Sequence, residues 1–149
     1  MPWWTCAHPL LLIRFYEEEN ILKRISLFPP DPSLPSSDHP FVALFSTYLN
    51  GNPVLWPSYD ESLLTPYQKK VFYYVQQIPY GKVKTYTEIA TLLGNPKSRR
   101  AVAQALKHNP FPLIIPCHRV VSARFSHDIG GFTPDPAFKK ILLQLEKAL

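Results

Sequence analysis

Glycine is scarce in this chain and proline is not: five glycines stand against seventeen prolines in 149 residues. That ratio argues against glycine-rich, flexible linkers and predicts stiff loops that lose less entropy on folding. Cysteine is scarcer still. Cys6 and Cys117 are the two present, too few for a disulfide framework, and they point to a reducing compartment: the cytoplasm, or the nucleus of a eukaryote. No apolar run approaches the roughly 20 residues that span a bilayer, so no membrane partner is expected. The opening "MPWWTCAHPLLLIRF" has no basic region before its short apolar run, which argues against a secretory signal. Metal-ligand patterns are thin as well. Cys117-His118 has no paired C-x-x-C or H-x-x-x-H nearby, and Cys6 with His8 supplies at most two ligands. Neither a metal nor a cofactor is expected.

What is present suffices for a folded core. The chain is 46% hydrophobic and 18% charged, which fits one compact unit or two small domains. Charge is distributed unevenly. Residues 1–58 carry three Lys/Arg against five Asp/Glu, whereas residues 59–149 carry thirteen against six. A mildly acidic domain at 1–58 followed by a basic domain at 59–149 predicts an anionic partner for the second, with nucleic acid the usual candidate.

Local patterns fill in the elements. "LLLIRFYEEENILKRISLF" predicts two strands around a turn near Glu18–Asn20. A loop rich in Pro, Ser and Asp, "PPDPSLPSSDHP", leads to a helix in "FVALFSTYLNG" that stops at Gly51. Residues 52–62 read as a connector. Thr65 before Pro66 predicts an N-cap for the helix "PYQKKVFYYVQQI", and "YGKVKTY" predicts a turn and a short strand. Thr85 and Glu88 have capping-box spacing for a helix in "YTEIATLL". "GNP" then breaks the chain before another helix at about Ser98 to His108. Two short helices across such a turn resemble a helix-turn-helix. In the second, Val102, Ala105 and Leu106 form an inward stripe, leaving Arg99, Arg100, Ala103, Gln104 and Lys107 outward. That face is either ordinary solvated surface or one that meets phosphates.

The segment "LIIPCHRVV" raises the chemical question. Cys117 alone reads as an inert buried cysteine. A nucleophilic one needs a base or cation to release its thiolate, and His118 and Arg119 are adjacent in sequence. In an extended segment they point to opposite faces, so a bridging water is expected, with Glu146 in "ILLQLEKAL" as a third group orienting the histidine.

"YGKVKTYTEIA", "GNPKSRRAVAQAL", "NPFPLIIPCHRVV", "GGF" and "LLQLE" resemble, in that order, the alkylguanine-DNA alkyltransferases, with P-C-H-R-V the most specific segment. The resemblance covers roughly residues 65–149; residues 1–64 match only in general style. It implies an α/β chain: a small N-terminal antiparallel-sheet α/β domain, then a mostly helical, winged-helix-like domain with a helix-turn-helix. It implies one-turnover transfer of an alkyl group from O6-alkylguanine in double-stranded DNA to Cys117, in a monomer. His118 would be the base through a water, and Glu146 its orienting partner. Tyr86 would give a proton to the departing guanine, and Asn109 would be a hinge between recognition helix and active site. Arg100 would fill the gap left by the flipped nucleotide. Ser98, Arg99, Ala101 and Ala103 would line the minor groove, with Arg119 and Thr133 also counted among the DNA contacts. Phe132 stands where the family commonly has tyrosine, Thr133 replaces a serine, Ala103 and Gln104 replace smaller residues, and the loop 122–131 looks long. These departures bear on pocket size and substrate range. The rival readings are a lesion-binding relative, which would carry tryptophan in place of Cys117; a helix-turn-helix regulator with an inert cysteine; and a thiol hydrolase, which would need an oxyanion hole.

Overall fold

The computed structural model describes residues 2–123 and 135–149. The expectations placed on Phe132 and Thr133, and on most of the 122–131 loop, lie outside the described residues. The chain divides into two compact units, Met1–Leu63 and Leu64–Leu149, a boundary slightly later than 58/59. The reason lies in the connector. Leu22 donates to the Ser58 carbonyl and accepts from the Asp60 amide, both at 2.9 Å, while Lys23 pairs with Asp60 at 2.8 Å. Asp60 and Glu61 thus join the first unit, giving it three basic against seven acidic residues and leaving the second thirteen against four.

The first unit is a three-stranded antiparallel sheet with one α-helix and a closing 3-10 turn at Glu61–Leu63. Strands β1 (Trp4–Ala7), β2 (Leu12–Glu18) and β3 (Ile21–Phe28) lie in the order β1-β2-β3. Glu19 and Asn20 make the expected hairpin turn, both at positive φ (54° and 64°), the requirement of a type I′ turn. Helix α1 (Pro40–Leu49) starts where the proline-rich loop ends, and its N-cap His39 accepts the Phe41 amide. It buries Phe41, Phe45, Tyr48 and Leu49; the Phe45 and Phe41 rings lie 5.2 and 6.1 Å from that of Phe15 in β2. The pattern reading did not foresee β1. Its free edge is occupied by the proline-rich loop: the Thr5 and Ala7 amides donate to Ser37 Oγ and Ser36 Oγ at 2.8 and 2.9 Å. That protects an edge otherwise open to pairing with another chain.

The described part of the second unit is helical around one short ladder. Helix α2 (Pro66–Val75) opens on Thr65 with a full capping box closed by Gln68. Strand β4 (Lys84–Thr85) leads directly into α3 (Tyr86–Leu92), whose Thr85/Glu88 capping box forms as expected. The turn to α4 (Arg99–Lys107) passes through Gly94 at φ 87°. Among the described residues, nothing beyond its chain neighbours lies within 4 Å of where a Cβ would stand, so backbone conformation rather than crowding selects glycine there. Val102, Ala105 and Leu106 are buried. Strand β5 (Val120–Val121) pairs with β4 in parallel, Lys84 with Val120 and Thr85 with Val121. Helix α5 (Pro136–Leu145), capped by Asp135, completes the described part. The short ladder matters most, because it sets the start of α3 beside the turn that carries Cys117.

Candidate active site

The route from α4 to Cys117 is a chain of hydrogen bonds around one asparagine. Asn109 follows the C-cap His108. Its Nδ2 donates to the Ile115 carbonyl and its Oδ1 accepts the Phe111 amide, both at 2.9 Å. These bonds fold residues 109–115 into a compact loop in which Phe111, Leu113 and Ile115 are buried. Leu113 sits at φ 76°, a strained position for a side chain bearing a Cβ. Gln68 adds a second tie: its Nε2 donates to the carbonyls of Ala105 and His108 at 3.3 and 3.1 Å. The loop is thereby fastened both to the end of α4 and to α2.

Cys117, His118 and Arg119 form a 3-10 turn, which corrects the expectation of an extended segment. Successive side chains in such a turn step around an axis instead of alternating between two faces. All of His118 and nearly all of Cys117 are buried, with relative exposures of 0% and 6%. Burial pushes the Cys117 thiol up from its ordinary value; the Asn109 amide, the Lys139 charge and nearby backbone donors act against it. Burial also holds the His118 imidazole below its ordinary value, although the Glu146 hydrogen bond pulls the other way. The resting pair is therefore a thiol beside a neutral imidazole.

Glu146 reaches this turn from the C-cap of α5, and its side chain is fully buried. Among the described residues, four donors reach its carboxylate. Oε2 takes His118 Nε2 at 2.6 Å and Arg119 Nη2 at 3.1 Å. Oε1 takes Arg119 Nε at 2.9 Å and the Gly81 amide at 3.1 Å. A carboxylate accepts only, so the His118 tautomer assigned by this contact carries its proton on Nε2 and leaves Nδ1 as the acceptor. Gly81 is at φ 78°, and a Cβ on it would stand 3.0 Å from the Glu146 carbonyl oxygen; glycine is needed there for both conformation and space. Arg119 was expected among the DNA contacts. Instead, its side chain is only 11% exposed, held by Glu146 and by the Ile78 carbonyl at 2.8 Å.

Tyr86 is the first residue of α3, and the β4–β5 ladder brings it to the same neighbourhood. Lys139 of α5, fully buried, donates from Nζ to the Tyr86 hydroxyl at 3.1 Å and to the Val120 carbonyl. It also lies 5.3 Å from the Tyr86 ring centre. Sequence reasoning missed this lysine. The signal was available: Lys139, Leu142 and Glu146 recur at i, i+3 and i+7, one face of a helix, and a lysine on the buried face asks for partners.

The outer face of α4 is where pattern reading placed it. Arg99, Arg100 and Ala101 are exposed, and Ser98 and Ala103 are partly so. The Ser98 hydroxyl donates to the Asn95 carbonyl at 2.7 Å.

A helix-turn-helix with a basic outer face and a buried cysteine beside a buried histidine, linked through one asparagine loop, define a class of protein that joins a helix-turn-helix scaffold to a thiol. Residues 66–148 match the family model described as "6-O-methylguanine DNA methyltransferase, DNA binding domain". A methylated-DNA–protein-cysteine methyltransferase of Archaeoglobus fulgidus is 39% identical over 127 residues, 81% of this chain and 83% of that one. One from Saccharolobus islandicus is 40% identical over 111 residues, 74% of this chain and 70% of that one. The crystal structure of Mycobacterium tuberculosis OGT in complex with DNA superposes with a TM-score of 0.81 at 29% identity, covering 98% of this chain and 92% of that one. The chain belongs to the methylated-DNA–protein-cysteine methyltransferase family.

Proposed function

We propose that this protein repairs O6-alkylguanine in double-stranded DNA by moving the alkyl group irreversibly to Cys117, once per molecule. The observation that carries the reading is Cys117 in a buried turn beside a histidine held by Glu146. Among the described residues no helix is long and apolar enough to cross a membrane. The protein acts as a monomer without a cofactor, in the cytoplasm or, in a eukaryote, the nucleus.

The α4 face binds the minor groove, with Ser98, Arg99, Ala101 and Ala103 against the duplex. Arg100 enters the stack where the damaged nucleotide leaves it. Flipping costs a few kcal/mol, less for a poorly paired base. In the pocket Cys117 gives its proton through a water to His118 Nδ1. The sulfur attacks the alkyl carbon, the carbon–oxygen bond breaks, and the electron pair passes to guanine. Tyr86 protonates the leaving base, and the Lys139 ammonium on its hydroxyl stabilises the phenolate that results. The proton held by His118 returns to that phenolate through solvent, so the net products are a thioether and unmodified guanine. The thioether has no easy route to hydrolysis, hence one turnover.

Incubation with DNA holding radiolabelled O6-methylguanine tests this directly. One label per protein is expected, located on Cys117 by peptide mass spectrometry and abolished by Cys117→Ala. More than one turnover, or label on Cys6, would overturn it.

A further inference from the structure

We infer that Arg119 is a positioning residue that sets the proton affinity of His118 through Glu146. The inference rests on the functional reading above and deepens it. A solvated arginine beside DNA would leave its guanidinium outward. Here Nε and Nη2 fork onto the two Glu146 oxygens at 2.9 and 3.1 Å, and Nη1 donates to the Ile78 carbonyl at 2.8 Å. The guanidinium also lies over the Tyr80 ring, 5.7 Å from its centre. One group thus ties the turn after α2 to the C-cap of α5 and to the reactive turn.

The electrostatic consequence follows from that placement. His118 faces Cys117 and Arg119 from its own turn, and Glu146 and Lys139 from α5; Tyr80 and Gly81, after α2, pack around the Glu146–Arg119 pair. Glu146 alone would make His118 a stronger proton acceptor, drawing a proton from solvent and leaving no vacancy for that of Cys117. The Arg119 cation shares the carboxylate and opposes a second positive charge nearby. Its charge and the Lys139 charge both act to keep the imidazole neutral, alongside burial as the largest effect. The fork also fixes the carboxylate plane, which fixes the ring that donates to it.

The test is the single-turnover rate of transfer to Cys117 against pH, in the unmodified protein and in Arg119→Gln and Arg119→Lys. Glutamine keeps a hydrogen-bonding side chain and removes the charge. Its acid-side midpoint should move up by about one pH unit, so transfer is slowed most near neutrality and recovers in base. Lysine keeps the charge without the fork, so the midpoint should stay while the plateau falls. A midpoint equal in all three proteins, or raised equally by glutamine and lysine, overturns the inference, because a merely structural role lowers the whole profile without moving it. An NMR titration of the His118 ring carbons in the same proteins reads the shift without any transfer. If the unmodified protein transfers nothing, the functional reading fails, and the titration still decides on Arg119. If the glutamine variant does not fold, Arg119→Lys decides: a lowered plateau at an unchanged midpoint bears the inference out, and a raised midpoint overturns it.

Discussion

Alkylation of Cys117 should destabilise the protein. Cys117 is 6% exposed and lies between the fully buried Ile115 and His118, in a turn that three tied segments prevent from spreading. One extra carbon in a well-packed site costs about 1–3 kcal/mol in displaced side chains. Burying the new methyl returns only about 0.8 kcal/mol. The balance is a loss of about 1 kcal/mol. For a unit the size of Leu64–Leu149, each kcal/mol moves Tm by about 4–8 °C, so methylation should lower its melting by about 5 °C and benzylation by more. The assay is thermal melting followed by circular dichroism on free, methylated and benzylated protein, each verified by mass spectrometry. Cys117→Ala serves as the control for loss of the thiol alone. Coincident melting of free and fully alkylated protein would refute the packing argument and show a pocket with room to spare.

Replacing Arg100 with Ala should slow repair of duplex DNA well beyond its effect on a free alkylguanine base, since only the duplex requires flipping; equal losses would remove Arg100 from that role. DNA affinity should fall steeply with salt, and Arg99→Ala should reduce the slope of log K against log salt by about one, as measured by fluorescence anisotropy. Gln68→Ala leaves the Ala105 and His108 carbonyls without their side-chain donor and should cost about 1–3 kcal/mol in urea denaturation. In the first unit, Lys23 and then Ser62 hold the Asp60 carboxyl down from 3.8 to about 2. A depressed carboxyl stabilises the fold above its unfolded value and loses that contribution as pH falls through its folded one. Asp60→Asn should therefore flatten the acid stability profile from about 4 down to about 2, with the variant and the parent converging at the acid end.

What the sequence determined by itself are the features written within one helical turn or one hairpin. Thr65–Gln68 and Thr85–Glu88 are three residues apart, as are the positions a capping box joins, and both boxes form. Glu19-Asn20 closes the hairpin, and α4 buries the stripe its period predicts. The motif order likewise nominates Cys117, His118 and Glu146, and His118 and Glu146 meet at 2.6 Å. The tertiary structure decided everything that depends on where distant segments come together. Arg119 has the same sequence neighbours whether it faces DNA or the interior. Its inward direction is set by Glu146, 27 residues away, and by Ile78, 41 residues away. Lys139 is one more cation in composition, and becomes part of the site only because the β4–β5 ladder places Tyr86 and Val120 beside it, 53 and 19 residues distant in the chain. Strand β1 is four residues without a clear alternation, and it is completed by serines from a loop some thirty positions on. A side chain's local pattern states which face it occupies; its charge partner is chosen by packing, where burial removes water as the alternative and makes the nearest opposite group obligatory.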